Sequence, residues 1–343
     1  MKKTIALALA LTMSLSLAAC GGGTSSGSSG SSGTSGGGDT ITFKMAFVDP
    51  ASSPYAQGGE RVAEEVAEAT DGRIQIEIVT DGILGGERDA VELAMGNNLD
   101  IATAANSVLT NFIPEMAILD QAYLWDNADQ AHAAVDGAVG DLIEAKAEEL
   151  GLHVIGYMES GFRNTFSINP IESIDDFHGV TIRTMENQYH QAAFSAFGAM
   201  PVAMSANDIF TALQQGTIDA CENATINCLN NGYYEITKNI TNTQHAFVYI
   251  MLCMSDEAWN QIPEDLREPF LEAVKRGCDY ERELLVSENE RAVTELEAAG
   301  VTFHEIDRDE LKAAYEAEAE RQGFTFDPEW QAAVDEAKAS VAG

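Results

Sequence analysis

Positive charge is scarce in this sequence. Lysine and arginine together number 19 against 55 aspartate and glutamate residues, which gives a formal net charge of -36. A surface this acidic repels nucleic acid and anionic lipid headgroups, because both carry charge of the same sign. The composition therefore excludes nucleic acid as a partner, and it gives unusual weight to any arginine in a structured segment.

Cysteine and histidine are also few, with five and six residues. The sequence has no Cys-x-x-Cys pair, and no histidine stands at a metal-ligand spacing beside a cysteine, so we expect neither a metal site nor a cofactor. Cys221, Cys228, Cys253 and Cys278 could form disulfides in an exported protein or remain buried thiols, and the sequence leaves both alternatives open.

Motifs of several enzyme classes are missing. From residue 41 onward the sequence has no Gly-x-Ser-x-Gly elbow, no phosphate-binding loop, no His-Glu-x-x-His and no Gly-x-Gly-x-x-Gly. Acidic pairs such as Asp175 and Asp176 lie on helical faces and are typical of solvated surface rather than of acid–base catalysis. We therefore expect a protein that is not an enzyme.

The N-terminus has the pattern of an export signal, with a lysine pair, an apolar run over residues 5–17 and then small residues. The run is too short to span a membrane. It ends in Leu-Ala-Ala-Cys20, which resembles the bacterial lipobox, where cleavage leaves a lipid-modified cysteine as the new N-terminus. We expect a signal peptide over residues 1–19, lipidation of Cys20 and a Gly/Ser tether over residues 20–38. The protein is then extracytoplasmic, lipid-anchored to the outer face of the cell membrane, or periplasmic.

The rest of the chain alternates between short strand-like runs and longer helical runs. Residues 74–79 alternate with period two, which predicts a strand, and residues 54–69 have the period of a helix. One long helix is predicted over residues 128–150 and another over residues 265–299, which is long enough to span two lobes. This alternation predicts an α/β fold with mostly parallel sheets, and 343 residues exceed one average domain.

Two arginines and an asparagine stand close together in the middle of the chain. Arg183 ends a short apolar strand over residues 180–183, Arg163 precedes that strand, and Asn223 ends a later strand-like run. A guanidinium group matches a carboxylate through two parallel hydrogen bonds and stays charged at any physiological pH. These residues therefore predict an anionic ligand.

Several short motifs follow one another in order over the same part of the chain. They are Leu84-Gly85 with Glu87-Arg88, Gly161 with Arg163, Ile174-x-Asp-x-Phe-x-Gly179-x-x-Ile-Arg183, Phe197-Gly198-Ala199-x-Pro201, Met204-Ser205, Phe210 to Gly216, Asp219 and Glu222-Asn223. This order resembles the DctP-type solute-binding proteins of tripartite ATP-independent periplasmic (TRAP) transporters, here in a lipoprotein form, over about residues 41–322.

The resemblance implies a two-lobed, periplasmic-binding-protein-like α/β fold with crossing strands and a long interlobe helix. Lobe I would comprise residues 39–160 plus 247–288, and lobe II residues 161–246 plus 289–343. The resemblance also implies that the protein delivers its ligand to the membrane permease subunits of a TRAP transporter. We expect it to act as a monomer.

The resemblance further implies roles for individual residues. Arg183 would be the principal carboxylate contact, with Arg163 as a second contact and Asn223 as a hydrogen-bond partner. Glu87 and Asn106 would contact the rest of the ligand from lobe I.

Aromatic side chains are expected to contribute as well. One bidentate contact supplies only part of the free energy that a tight binder needs, so other side chains must add to it. Phe162 and Tyr189 are the aromatic candidates near the arginines.

Polar candidates in both predicted lobes favour a hydroxylated monocarboxylate, such as a hexuronate or keto-sugar acid. A C4-dicarboxylate is the alternative ligand for the same receptor. A surface enzyme acting on acidic saccharides and a ligand-sensing partner of a signalling receptor are the alternatives of other classes.

Overall fold

The computed structural model describes residues 40–341. The predicted signal peptide, Cys20 and the tether lie outside the described residues. The strands, in chain order, are β1 (Ile41–Ala46), β2 (Ile74–Val79), β3 (Ile101–Ala105), β4 (Leu152–Phe162), β5 (Asn164–Ser167), β6 (Thr181–Thr184), β7 (Met200–Ala203), β8 (Ala220–Asn223), β9 (Asn239–Thr241), β10 (Phe247–Ser255) and β11 (Thr302–His304).

The strands alternate with α-helices. The helices, in chain order, are α1 (Pro54–Ala69), α2 (Glu87–Met95), α3 (Asn106–Leu109), α4 (Ala128–Val135), α5 (Ala138–Glu148), α6 (Gln188–Ala196), α7 (Ile209–Gln214), α8 (Thr225–Asn230), α9 (Asp256–Gln261), α10 (Glu264–Ala298), α11 (Arg308–Gln322) and α12 (Pro328–Ser340). Short 3-10 turns cover Pro114–Asp120, Ile174–Phe177, Ala206–Asp208 and Tyr233–Glu235.

The first lobe is built on a five-stranded sheet in the order β2-β1-β3-β10-β4. Strand β1 runs parallel to β2 and β3, whereas β10 runs antiparallel to β3 and β4. All nine residues of β10 are buried, as expected of a central strand covered on both faces.

The second lobe is built on a six-stranded sheet in the order β11-β9-β5-β8-β6-β7. Strand β6 runs parallel to β7 and β8, and β5 runs antiparallel to β8 and β9. Because β6 and β8 are parallel neighbours, their carboxyl ends lie at the same edge of the sheet, where Arg183 and Asn223 stand. Both sheets are mixed, which differs from the mostly parallel sheets predicted from the alternation.

The chain crosses between the lobes on strands. Only Arg163 separates β4 of the first sheet from β5 of the second. Strand β10 brings the chain back to the first sheet and pairs with β4 up to Phe247 opposite Phe162. Any side chain at position 163 is therefore held at the junction of the two lobes.

The predicted long helix is present as α10, which has 35 residues. It packs on α1 and β4 of the first lobe and on α8 of the second. Gly277 permits the close approach to α1, because a Cβ atom there would lie 2.4 Å from Cγ2 of Val62.

Two expectations about helices differ from the structure. Residues 128–150 form two helices, α4 and α5, because the chain turns at Gly137 and brings Gly140 against the preceding turn. A Cβ atom on Gly140 would lie 2.1 Å from the carbonyl oxygen of Val135. Helix α12 packs on α4 and α5 of the first lobe, although residues 289–343 were all expected in lobe II, because Trp330 and Val334 complete that lobe's apolar core.

Cys221, Cys228, Cys253 and Cys278 are buried free thiols. Burial raises the pKa of each of these thiols, so they behave as small apolar core side chains. Within residues 40–341, no helix combines the length and the apolar character needed to cross a membrane.

Candidate functional site

A small polar cavity lies where the two lobes meet. Its volume, measured as space open to the centre of a water molecule, is about 40 Å³, which is room for about three waters. The residues that line it come from both lobes and are Asp49, Tyr55, Glu87, Ala105, Ser160, Arg163, Arg183, Met185, Ala206, Asn223, Asn227, Val248 and Ile250. Four of the predicted ligand residues, Arg183, Arg163, Asn223 and Glu87, are therefore brought together.

Arg183 reaches this cavity from β6. Its side chain is 4% exposed, and its Nε donates a hydrogen bond to the carbonyl oxygen of Met204 at 2.8 Å. Its Nη1 lies 3.5 Å from Oε1 of Glu222. Among the described residues, neither Nη group of Arg183 has a hydrogen-bond partner, so a planar pair of donors remains for a carboxylate.

Arg163 differs from Arg183, because every nitrogen of its guanidinium group already donates a hydrogen bond within the protein. Its Nε and Nη2 donate to the carboxylate of Glu222 at 2.5 and 3.0 Å, and Nη2 also donates to the carbonyl oxygen of Glu222 at 2.6 Å. Its Nη1 donates to Oδ1 of Asn223 at 2.7 Å. Arg163 thus ties the crossing between β4 and β5 to the end of β8.

Glu222 is fully buried beneath the two arginines. Burial alone would raise the pKa of Glu222, but the charge of Arg163 and hydrogen bonds from His245 and Arg163 outweigh burial and hold the pKa below its usual range. Burial lowers the pKa of Arg183, and Glu222 opposes that effect only in part. For Arg163, by contrast, Glu222 outweighs burial and raises the pKa. Glu222 therefore compensates the charge of Arg163 and leaves the charge of Arg183 only partly compensated.

A buried histidine fixes the orientation of Glu222. Burial lowers the pKa of His245, against the opposing effect of Glu222, so the ring is neutral. Its Nε2 lies 3.3 Å from Oε2 of Glu222 and its Nδ1 lies 2.9 Å from Oγ1 of Thr243. A carboxylate can only accept, so Nε2 carries the proton and Nδ1 accepts from the threonine.

The same region holds the one set of side chains among residues 40–341 that could contribute metal ligands. Ligand atoms of His190, Glu222 and His245 lie within 4.8 Å of one another. Both carboxylate oxygens of Glu222 already accept hydrogen bonds from Arg163, and a guanidinium in contact with a ligand repels a metal cation. We therefore assign Glu222, with His245 hydrogen-bonded to it, to the support of the arginines.

A hydrogen-bond network connects the cavity to both lobes. Tyr55 of α1 donates to Oγ of Ser160 in β4 at 3.0 Å. Nδ2 of Asn227 in α8 donates to Oη of Tyr55 at 2.9 Å and to Oδ1 of Asn223 at 2.8 Å. The amide of Asn223 is thereby fixed, with its oxygen turned toward Arg163 and Asn227.

Two acidic side chains of the first lobe complete the cavity. Glu87 is the first residue of α2, and the backbone N–H of Ala105 lies 3.4 Å from its Oε2. Burial raises the pKa of Glu87. Burial and the charge of Glu87 raise the pKa of Asp49 to about 7. At neutral pH Asp49 therefore exists in both protonation states and can donate or accept a hydrogen bond.

Three of the expected ligand residues lie elsewhere. Asn106 is buried, donates from Nδ2 to Asp120 at 2.7 Å and accepts the backbone N–H of Tyr249 at 3.0 Å. This amide is satisfied within the first lobe.

The two aromatic candidates are also outside the cavity. Phe162 packs edge-on against Phe247 with ring centroids 5.3 Å apart, and Tyr189 packs against Phe324 at 4.6 Å. Both rings pack against aromatic neighbours, and neither lines the cavity that contains Arg183.

Asp49, Tyr55 and Asn227 line the cavity and were not among the residues expected to bind ligand. Asp49 had a usable signal, since it follows a predicted strand and ligands of open α/β sheets bind at the carboxyl ends of strands. Tyr55 and Asn227 lie inside helices α1 and α8, where their positions in the sequence give no indication of a ligand site.

The family model for bacterial extracellular solute-binding proteins, family 7, named DctP, matches residues 45–322 of the chain. The chain belongs to this family. The resemblance predicted from the motifs is thereby confirmed, and the family consists of transport proteins that bind solutes rather than of enzymes.

Solute-binding proteins of known sequence or structure resemble the chain over most of its length. A solute-binding protein of Verminephrobacter eiseniae is 29% identical over 254 residues, which is 74% of this chain and 76% of that protein. The crystal structure of a TRAP periplasmic solute-binding protein from Xanthobacter autotrophicus Py2 with bound β-D-galacturonate is 26% identical, has a TM-score of 0.82 and covers 87% of this chain and 99% of that chain.

The structure of another TRAP periplasmic solute-binding protein, from Citrobacter koseri with bound D-glucuronate, is 27% identical, has a TM-score of 0.81 and covers 88% of this chain and 100% of that chain. These structures are two-lobed binding proteins of TRAP systems, which confirms the predicted two-lobed α/β fold.

Proposed function

We propose that this family 7 protein is an extracytoplasmic receptor that captures a sugar acid with one carboxylate and delivers it to a TRAP permease. The observation that carries the proposal is the unused pair of Nη donors of Arg183 in a polar cavity between the lobes. A carboxylate that enters such a cavity loses its hydration, and charge-assisted hydrogen bonds must replace the lost water.

The charges around the cavity favour one carboxylate over two. Glu222 already compensates Arg163, so Arg183 is the cation that remains for the ligand. Asp49 and Glu87 would repel a second carboxylate, whereas their oxygens can accept hydrogen bonds from ligand hydroxyl groups. This arrangement supports a hydroxylated monocarboxylate over a C4-dicarboxylate, and the two uronate-bound structures support the same class.

Calorimetric titration of the mature protein with D-glucuronate, D-galacturonate, D-galactonate and succinate tests the proposal. At least one sugar acid is expected to bind with a dissociation constant of about 1 μM or lower, which corresponds to about 8 kcal/mol. Succinate is expected to bind much more weakly, and tighter binding of succinate than of every sugar acid would contradict the proposal. NMR of the recovered ligand separates a receptor from a surface enzyme, because a receptor returns its ligand unchanged.

Affinity for the sugar acid is expected to fall as the pH rises. Asp49, with a pKa of about 7, is neutral below that pH and anionic above it, where it repels the bound carboxylate. The pKa of Glu87 is raised as well, which acts in the same direction, while Arg163 and Arg183 stay charged throughout. Between pH 6 and pH 8 the dissociation constant is expected to increase by up to about tenfold.

The matched variant for this effect is Asp49→Asn, which keeps the size of the side chain and removes its titration. Its affinity should change little between pH 6 and pH 8. A wild-type affinity that stays constant or increases over this range would contradict a role for Asp49 next to the carboxylate.

We also propose that a lipid on Cys20 anchors the receptor to the outer face of the cell membrane, where a monomer on its tether meets the permease. The Cys20→Ala variant is expected to appear in the soluble extracytoplasmic fraction after cell fractionation, since the acyl chains supply the affinity for the membrane. Membrane retention of this variant at the wild-type level would rule out the anchor.

A further inference from the structure

A second cavity adjoins the one that holds Arg183. Its volume, counted in the same way, is about 470 Å³, against about 40 Å³ for the first. The two cavities share Asp49, Ala206 and Asn223 as lining residues. Ala206, which has only a methyl group as its side chain, lies at this boundary.

The sizes of the two cavities suggest a division of the ligand between them. The first has room for a carboxylate and its immediate neighbours only, and it contains the arginines. The second has room for much more of a ligand, and it adjoins the first. A ligand bound through Arg183 therefore extends from the small cavity into the large one.

The lining of the second cavity has the character of a carbohydrate site. It presents the amides of Asn207, Asn223, Asn230 and Asn231 together with the aromatic rings of Phe210 and Tyr233. Amides both donate and accept hydrogen bonds, as sugar hydroxyl groups require. Aromatic side chains add apolar surface that can cover the C–H face of a sugar ring.

Charge restricts which sugar fits there. The charged residues among those described around the second cavity are Asp49 and Asp81, and no lysine or arginine lines it. A second carboxylate on the ligand would lie beside these two acids without a cation to compensate it. The part of the ligand in this cavity is therefore uncharged.

An unused hydrogen-bonding group supports the same conclusion. Within the described chain, Nδ2 of Asn230 is buried and has no hydrogen-bond partner. Such groups are rare, because a buried donor without a partner costs free energy. A small rotation of this side chain toward the cavity would let a ligand hydroxyl accept its hydrogen bond.

From these observations we propose that the preferred ligand is an acidic disaccharide, in which Arg183 holds the carboxylate of the uronate in the first cavity, and the rest of the uronate and a neutral sugar residue occupy the second cavity. This inference rests on the proposed function, since it requires a sugar acid bound through Arg183. It adds a subsite, lined by Asn207, Phe210, Asn230, Asn231 and Tyr233, that selects a longer ligand.

Titration calorimetry of the mature protein at one pH tests the inference with three probes: D-glucuronate, glucuronosyl-xylose and digalacturonate. Glucuronosyl-xylose is expected to bind about tenfold or more tightly than D-glucuronate, as one or more additional hydrogen bonds would provide. Digalacturonate is expected to bind more weakly than glucuronosyl-xylose, because its second carboxylate meets Asp49 and Asp81.

The outcomes distinguish this inference from the function on which it rests. Binding of D-glucuronate as tight as that of glucuronosyl-xylose overturns the second subsite and leaves the sugar-acid receptor standing. If no sugar acid binds, both proposals fail.

Two variants locate the subsite. Asn230→Ala removes a donor that has no partner in the described chain, and Asn207→Ala changes an exposed residue, so both are expected to fold. Each should weaken binding of glucuronosyl-xylose severalfold and weaken binding of D-glucuronate clearly less, because the neutral sugar residue makes additional contacts in the second cavity. Asn98→Ala, an exposed residue of the first lobe that lines neither cavity, is the matched control. Equal losses for both ligands would overturn the assignment of the second cavity.

Discussion

Replacement of Arg183 with lysine is expected to weaken the binding of a sugar acid about a hundredfold. The two Nη groups of Arg183 have no hydrogen-bond partner among the described residues and face a cavity shared by both lobes. Lysine keeps the charge but presents a single ammonium, which cannot make two parallel hydrogen bonds to one carboxylate. The loss of one charge-assisted bond costs about 1.5 to 3 kcal/mol, and imperfect placement of the other adds to it.

The measurement is the dissociation constant by calorimetry, with thermal unfolding of the unliganded protein to verify the fold. Arg276→Lys provides the matched control, because Arg276 is 49% exposed and pairs with Glu65 on the surface. The control should bind with wild-type affinity. A sugar-acid affinity of Arg183→Lys within about twofold of wild type would remove Arg183 from the site, since a lost bidentate contact cannot have so small an effect.

Replacement of Glu222 with glutamine is expected to lower the free energy of unfolding by about 3 to 5 kcal/mol. Glu222 is fully buried and compensates Arg163, which is itself 3% exposed. Glutamine has the same shape but no charge, so two buried guanidinium groups would lose their only carboxylate in contact among the described residues. Removal of one partner from a buried ion pair leaves an uncompensated charge that the interior solvates poorly.

Urea unfolding of the unliganded protein measures this effect. Glu295→Gln is the matched control, because Glu295 pairs with Arg291 on α10, where the two side chains are 50% and 42% exposed, and exposed pairs contribute about 1 kcal/mol or less. A bound sugar acid should stabilise Glu222→Gln more than it stabilises wild type, since the ligand carboxylate then supplies the missing negative charge. A stability of Glu222→Gln within about 1 kcal/mol of wild type would contradict the role of this pair.

The sequence predicted Arg183 as the principal carboxylate contact, and Arg163 as either a second contact or a residue that positions the lobes, but it could not predict the side chain that separates these roles. Their difference arises from β8, which lies beside β5 and β6 and brings Glu222 beneath both guanidinium groups. Arg163 takes up both oxygens of that carboxylate, and Arg183 is left with free donors. Pairing of this kind depends on the arrangement of strands that are some sixty residues apart in sequence.

Three of the residues predicted to bind ligand do not line the cavity, and they too show what residue type alone cannot predict. Asn106, Phe162 and Tyr189 are polar or aromatic residues near predicted strand ends or helix starts, where ligand residues often occur. In the structure the first of them donates a hydrogen bond to Asp120, and the two aromatic rings pack against Phe247 and Phe324, respectively. Whether such a residue faces a ligand or a neighbour is decided by the direction of its side chain, which residue type alone does not specify.

The amino-acid sequence by itself determined the α/β class, the long helix α10, the family and the identity of the two arginines, because periodicity and ordered motifs are local properties of the chain. Only the tertiary structure decided that Asp49, Tyr55 and Asn227 join the arginines around one cavity. The tertiary structure also decided that a second, amide-lined cavity adjoins the first. These groups lie on separate segments of both lobes and meet only when the crossing strands and α10 hold the two sheets together, so no local pattern encodes their proximity.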